Sequence, residues 1–274
     1  MALRKATPMN SLPSQPWSDN RPPVVTRVTD TEWHAVEDGL PVGRGDASQR
    51  PDGRLFVSVD AWHAPAFDRI AAAMTAALPA PLYAVVDETD HESTAAWHRA
   101  GFTTGRREWG YVVPTDPRVT GLGPVTPPAG VTLVPAGEAE EAPLRTLDRL
   151  VRAEVEAGAG WRTMPAEVLP RPAWSTMADP SKYAVAREAD RYVGMVRVAP
   201  LTRQPRIGLI AVLAERQRRG IARALLAHTL ASLHRAGTVS AWAEADEANP
   251  AATALLESIG ARRTGGAALE LVRP

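Results

Sequence analysis

Residues 205–226 read PRIGLIAVLAERQRRGIARALL. An apolar, β-branched run ends in a polar, arginine-rich turn. Gly220 then opens a segment whose Ile221, Leu225 and Leu226 fall at helical spacing. A strand, a basic turn with a glycine and a helix N-terminus together form an arrangement that holds phosphates. The first N–H groups of a helix lack internal partners, and the aligned peptide dipoles favour negative charge there. Gly220 carries no Cβ to keep a ligand away from the backbone. Arg216, Arg218, Arg219 and Arg223 add positive charge around it. The plainer alternative is a glycine required by packing, with arginines on a solvated surface.

The spacing is neither the dinucleotide fingerprint GxGxxG nor the Walker GxxxxGK[ST]. Gln217-x-x-Gly220-x-Ala222 resembles the acetyl-CoA loop of the GNAT N-acetyltransferases, Q/R-x-x-G-x-G/A. The flanks resemble that family too: Ile210, Ala211 and Val212 stand where its pantetheine-binding strand ends, and Arg223 stands where its helix begins. Ala222 fills the last small-residue position, and Ala214 stands where proline is usual. The resemblance implies acetyl-CoA as co-substrate. The backbone of Ile210, Ala211 and Val212 would pair with the pantetheine arm. Gln217, Arg218, Arg219, Gly220, Ile221, Ala222 and Arg223 would cradle the pyrophosphate, and Asn249 would lie near the pantetheine end.

Acetyl transfer to an amine needs a polarised thioester carbonyl, a neutral amine and a fate for the leaving thiolate. Glu244 is the candidate base. It ends an expected strand over residues 239–244, five positions before Asn249, and in the GNATs that acetylate ribosomal protein N-termini a catalytic glutamate stands there. A carboxylate enclosed in a cleft suits base chemistry better than one in water. The alternative is a solvent-facing turn residue beside Asp246 and Glu247. The family's general acid is usually a tyrosine seven residues after the asparagine; here that position is Leu256. Tyr183 and Tyr192 are candidates by type alone. Glu154 and Glu156 fall on the acceptor side by resemblance, as an alternative base, as contacts of a cationic acceptor or as plain surface residues. Trp161 could wall the acceptor, and residues 158–172 form the expected lid. His228 and His234 lack metal-motif spacing, so no metal is expected.

The elements that must position these residues fill a chain of 274 residues, the size of two ordinary domains. Formal net charge is zero, which gives no electrostatic argument for a nucleic-acid or membrane partner. The absence of cysteine excludes disulfides, thiolate nucleophiles and a thioester-linked acyl-enzyme. No apolar run is long enough to span a bilayer, and the N-terminus lacks a signal-peptide core, so a cytoplasmic location is expected.

Residues 1–23 read as a disordered tail, 24–113 as a first domain, 114–130 as a Pro/Gly-rich linker and 131–274 as the acetyl-CoA domain. In the first domain residues 41–53 read as a loop, 55–59 and 82–86 as strands, and 64–78 and 91–100 as helices. The second follows β-α-β-β-β-(loop)-α-β-α-β, which is the GNAT order. The fold expected is mixed α/β: two GNAT-like domains, each with a mostly antiparallel sheet flanked by helices.

Asp90-His-Glu-Ser-Thr-Ala-Ala-Trp-His-Arg-Ala-Gly-Phe102 matches Asn249-Pro-Ala-Ala-Thr-Ala-Leu-Leu-Glu-Ser-Ile-Gly-Ala261 in length and in its closing glycine. Both resemble the late GNAT signature, so the halves read as a duplication, with ordinary helix capping as the alternative. The first half has Asp60-Ala-Trp-His63 where a phosphate loop would stand, and reads as degenerate. The function implied is an N-acetyltransferase acting on a small amine, such as an antibiotic, or on a peptide, as a monomer or homodimer. The alternatives are an acyl-CoA-binding regulator without catalysis and a scaffold whose first domain binds a protein.

Overall fold

The computed structural model describes residues 22–50, 53–123, 126–157, 179–200 and 204–274. These form two compact units. One reaches Arg106 and takes in Ala268–Pro274; the other is Arg107–Ala267. Each has its own hydrophobic core. No helix among the described residues is long and apolar enough to cross a membrane.

The first unit runs β1 (Val24–Thr29), β2 (Glu32–Glu37), β3 (Leu40–Gln49), β4 (Leu55–Ala61), α1 (Ala64–Ala77), β5 (Leu82–Asp87), α2 (His91–Arg99) and the start of β6 (Thr103–Pro114). Its strands lie in the order β1-β2-β3-β4-β5-β12, where β12 is Arg262–Arg273. Only β4 and β5 are parallel among the register pairs described for this unit. α1 turns Phe67, Ile70, Ala71 and Met74 into the core, the one-sided pattern that helical spacing requires.

The second unit continues with α3 (Pro117–Thr120), β7 (Val131–Val134), α4 (Glu141–Ala157), β8 (Tyr183–Glu188), β9 (Arg191–Ala199), β10 (Arg206–Val212), α5 (Ile221–Arg235), β11 (Ser240–Asp246) and α6 (Pro250–Glu257). Its strand order is β6-β11-β10-β9-β8-β7, with β10 and β11 parallel. α5 buries Ile221, Leu225, Leu226 and Leu230, and α4 buries Leu144, Leu147 and Val151. The architecture is mixed α/β with mostly antiparallel strands flanked by helices, as the element order implied.

Three segments differ from the expectation. Residues 41–53 read as a loop because glycine and charge interrupt the apolar pattern, yet β3 spans Leu40–Gln49. Gly45 is there for packing: a Cβ would stand 2.5 Å from Ile70 Cγ2 and from Met74 Sδ, so its absence lets α1 lie close on the strand. Residues 114–130 read as a linker, but Thr115, Thr120 and Leu122 are buried and α3 forms within the second unit. The third difference concerns the strands at the division. Residues 109–113 were expected to close the first domain, whereas β6 pairs with β11 from Glu108↔Asp246 to Pro114↔Ser240. The C-terminal strand was expected in the second domain, whereas Ala268–Arg273 pair with β5. Strand pairing across a long stretch of sequence leaves no local signature, so composition could not place this division.

The repeat is carried through to atomic detail. Asp90 Oδ1 accepts from Ser93 N–H at 2.9 Å, and Asn249 Oδ1 accepts from Ala252 N–H at 3.1 Å, so both helices start on the same cap. Both end alike: Phe102 N–H donates to Trp97 O at 3.1 Å and Ala261 N–H to Leu256 O at 3.2 Å, around left-handed Gly101 and Gly260.

Leu271 is fully buried in the first unit's core although it lies at the far end of the chain. Leu271→Ala should lower the stability of that unit by about 2–5 kcal/mol in denaturant unfolding. A loss below about 1 kcal/mol would mean that the strand is not built into that core.

Candidate functional site

The site begins where two strands part. β10 and β11 pair only at Arg206↔Trp242 and Ile207↔Ala243, with Trp242 N–H donating to Pro205 O at 2.8 Å. Beyond this, β11 continues along β6 to Asp246 while β10 continues along β9 to Val212. A register irregularity between Ile207 and Leu209 marks the point of departure. From Gly208 to Val212 the β11-facing edge of β10 therefore has no strand partner among the described residues. Ile210, Ala211 and Val212, the expected pantetheine contacts, lie on this stretch and are half-buried. Backbone N–H and C=O groups at such an edge require water or a ligand.

The chain leaves β10 through Leu213 into a 3-10 turn, Ala214–Arg216, and reaches α5. Gln217 donates its Nε2–H to Val212 O at 3.0 Å, fastening the loop to the strand end. Arg218 has φ +62° and Gly220 φ +86°. No heavy atom lies within 4 Å of a Cβ built on Gly220, so it is the backbone angle, not space, that calls for glycine. Gly220 is the N-cap of α5 and offers no side-chain cap. By contrast α1, α2, α3 and α6 are capped by His63, Asp90, Asp116 and Asn249. The N–H groups of the first turn of α5, from Ile221 through Ala222 to Arg223, thus have no intrahelical or side-chain cap acceptor among the described residues. The parted edge and this helix terminus follow one another in the chain, joined by residues 213–220. The residues present fit the acyl-CoA that the motif implies.

The loop arginines are not equivalent. Arg216 Nε donates to Glu188 Oε2 at 2.5 Å, and Arg219 Nη1 to Glu188 Oε1 at 3.1 Å. Arg191 pairs with Glu215 at 3.0 Å. Two loop cations are therefore tied to the β8–β9 hairpin, where spacing alone had offered them to a phosphate. Arg223 Nη2 donates to Gly121 O at 3.3 Å. Arg218 makes no hydrogen bond or ion pair among the described residues. The hydrogen bond from Arg216 holds the Glu188 carboxyl below the usual carboxylate range, and the same bond raises Arg216. The sequence gives no signal for Glu188, because its partners are some thirty residues away on another element.

Glu244 lies on β11, not in a turn. Its Oε2 accepts from Arg206 Nη2, and its Oε1 from Trp242 Nε1 at 3.2 Å. Its side chain is 21% exposed, enough to be reached. Arg206 and Trp242 stand at the last paired rungs of the parting strands, so Glu244 looks on to the point of departure. Asn249 spends its Oδ1 on the α6 cap, which leaves its Nδ2 with no partner among the described residues. Leu256 is buried in the core, so no hydroxyl stands at that position. The Tyr192 hydroxyl oxygen accepts from Glu140 N–H at 2.9 Å, a structural use. Glu154, expected beside the acceptor, instead accepts from Ala214 N–H through Oε2 at 3.0 Å. Trp161 and the expected lid lie outside the described residues. Among the described residues no cluster of His, Asp or Glu could hold a metal ion. His228, on α5, is lowered by burial and by nearby Arg235.

The Glu188 pairs generate a pH prediction. A carboxylate whose folded pKa is depressed keeps its contribution above the unfolded value and loses it as pH falls through the folded one. The clamp should therefore be intact at neutral pH and loosen only below about 4.3, the ordinary glutamate value. A carboxyl NMR titration should show Glu188 titrating below the other exposed glutamates; a midpoint at or above the ordinary value contradicts the clamp.

Comparison with known proteins places this geometry. Residues 148–261 match the family model described as the Acetyltransferase (GNAT) family. No curated protein matches the chain in sequence. Among solved structures, a tandem GNAT protein from the clavulanic acid biosynthesis pathway is similar at TM-score 0.63 and 15% identity, over 88% of this chain and 81% of that one. A GCN5-related N-acetyltransferase from Sphaerobacter thermophilus is similar at TM-score 0.58 and 17% identity, over 91% and 83% of the two chains. A GNAT-family acetyltransferase from Colwellia psychrerythraea is similar at TM-score 0.58 and 13% identity, over 89% and 85%. At these identities the likeness is one of fold. The match to the GNAT acetyltransferase family model over residues 148–261 and the shared fold agree on the same part of the chain.

Proposed function

We propose that the chain is an N-acetyltransferase that moves the acetyl group of acetyl-CoA directly to a primary amine of a small molecule, an antibiotic among the candidates, or of a peptide. One observation carries this reading: the uncapped N-terminus of α5 stands directly after the unpartnered edge of β10. The first unit supports a single site per chain, because its corresponding helix is closed. His63 Nδ1 accepts from Ala66 N–H at 3.2 Å, and Pro65 contributes no N–H of its own. We therefore take it as a degenerate GNAT-like domain. The protein is read as cytoplasmic, a monomer or homodimer, without a metal, nucleic-acid or membrane partner.

Acetyl-CoA supplies a thioester whose acyl carbon is open to an amine. Ile210, Ala211 and Val212 offer their backbone edge to the pantetheine arm, as an added strand would pair. Gln217 holds the loop in place, and the N–H groups from Arg218 to Arg223 receive the pyrophosphate. Asn249 keeps its Nδ2 for the cofactor. Glu244 takes the proton from the incoming ammonium. Its Oε1 is the oxygen for the task, since the bond from neutral Trp242 at 3.2 Å yields more readily than the one from Arg206. Arg206 meanwhile fixes the carboxylate's orientation. The neutral amine bonds to the acyl carbon, the C–S bond breaks, the nitrogen gives its extra proton to water, and the thiolate takes its proton from water, since Leu256 has none to give.

A second reading follows from Leu256: an acyl-CoA-binding regulator that keeps the loop and has lost catalysis. Free CoA separates the two cleanly, because the chain has no cysteine to react with a thiol reagent. With acetyl-CoA and a panel of amines, the enzyme reading predicts amine-dependent CoA release. Glu244→Gln should then lower kcat by about a hundredfold or more while leaving the KM for acetyl-CoA within about twofold. Tight cofactor binding without amine-dependent release favours the regulator. An unchanged kcat in the variant removes Glu244 as base.

A further inference from the structure

We propose that Glu154 is a positioning residue of the cofactor loop, replacing by a hydrogen bond what a proline ring would do at residue 214. The inference rests on residues 217–223 being that loop. Leu213 leaves β10 with φ −50° and ψ 138°, and Ala214 is the first residue of the 3-10 turn. The turn is closed by Arg216 N–H to Leu213 O at 2.8 Å and by Gln217 N–H to Ala214 O at 3.3 Å. Both features are those of a proline site: an extended residue ahead, and the first position of a helical turn behind. A proline there has no N–H to satisfy. Alanine has one, and the first donor of a turn finds no acceptor within it. Glu154 Oε2 supplies that acceptor at 3.0 Å.

Glu154 lies in the last turn of α4, whose Leu144, Leu147 and Val151 share a core with Leu213 and with Ile221 of α5. The carboxylate is thus presented from a fixed element to the first residue of the loop. With Gln217 on Val212 O, the loop is fastened at two places, one each side of the 3-10 turn. A loop held in its binding geometry loses less entropy when the ligand arrives, and a competent fraction below one weakens apparent affinity in proportion.

The test is a double-mutant cycle read by equilibrium binding of CoA to the full chain, with amide hydrogen exchange at residue 214 as a second readout. Glu154→Ala should weaken CoA binding about threefold to tenfold, the range of one hydrogen bond. Glu154→Gln, which keeps an acceptor oxygen, should recover most of that loss. In an Ala214→Pro background, Glu154→Ala should have no effect, because there is no N–H left to hold. In the unliganded chain the Ala214 amide should exchange faster once Glu154 is replaced by alanine. An equal loss in both backgrounds, or no loss and no change in exchange, overturns the proposal. A wild-type chain that does not bind CoA refutes the acetyltransferase reading instead, and the exchange measurement still decides the role of Glu154.

Discussion

Where β10 leaves β11 after Ile207, a strand inside a sheet loses its neighbour among the described residues. Backbone polar groups at such an edge cannot stay buried and unpaired, so the gap must admit water or a ligand that pairs as a strand does. The rest of the second unit is arranged around that gap. β9 holds the far side of β10 along Gly194–Ala199, and β6 holds the far side of β11, so the two arms are each secured where they diverge. The loop after Val212 then delivers an uncapped helix N-terminus to the end of the open edge. An extended ligand with amides along its length and phosphates at one end fits both features at once.

The first unit repeats the parting and omits the receptor. β4 and β5 pair in parallel only at Leu55↔Leu82 and Phe56↔Tyr83, the same two-rung contact that β10 makes with β11. Beyond it β4 follows β3 and β5 follows the end of β12. But the connection to α1 is only Trp62 and His63, and His63 caps the helix itself. The geometry that parts the strands has been kept, while the groups that would meet a phosphate have been satisfied from within. The proposed duplication, with an uncapped helix terminus in the second unit and a capped one in the first, accounts for both halves.

Local features were legible in the sequence, and cross-chain ones were not. Helices α1, α2, α4, α5 and α6 follow from apolar spacing and from caps a few residues away, and so does the matching of Asp90–Phe102 with Asn249–Ala261. The turn into α5 at Gly220 follows from the glycine ahead of a helical apolar spacing. What escaped is what depends on residues meeting across elements. Arg206 on Glu244, Glu188 beneath Arg216 and Arg219, and Glu154 on Ala214 each join positions 28 to 60 residues apart. β3 escaped because glycines placed for the helix above it broke the apolar alternation. The exchange of β6 and of the chain end between the units escaped for the same reason as the ion pairs: register is set by tertiary packing, which no short window contains.

In the proposed function the second unit holds one acyl-CoA site per chain, built on the backbone around Gly220. Calorimetric titration of the full chain with CoA tests it most directly, comparing wild type with Gly220→Val. Valine at φ +86° is strained for lack of a comfortable left-handed conformation, although space is free around it. The account predicts one CoA bound per chain, with affinity lost or reduced by at least about tenfold in the variant while both proteins stay folded. Two sites per chain, or undiminished binding in Gly220→Val, would contradict it.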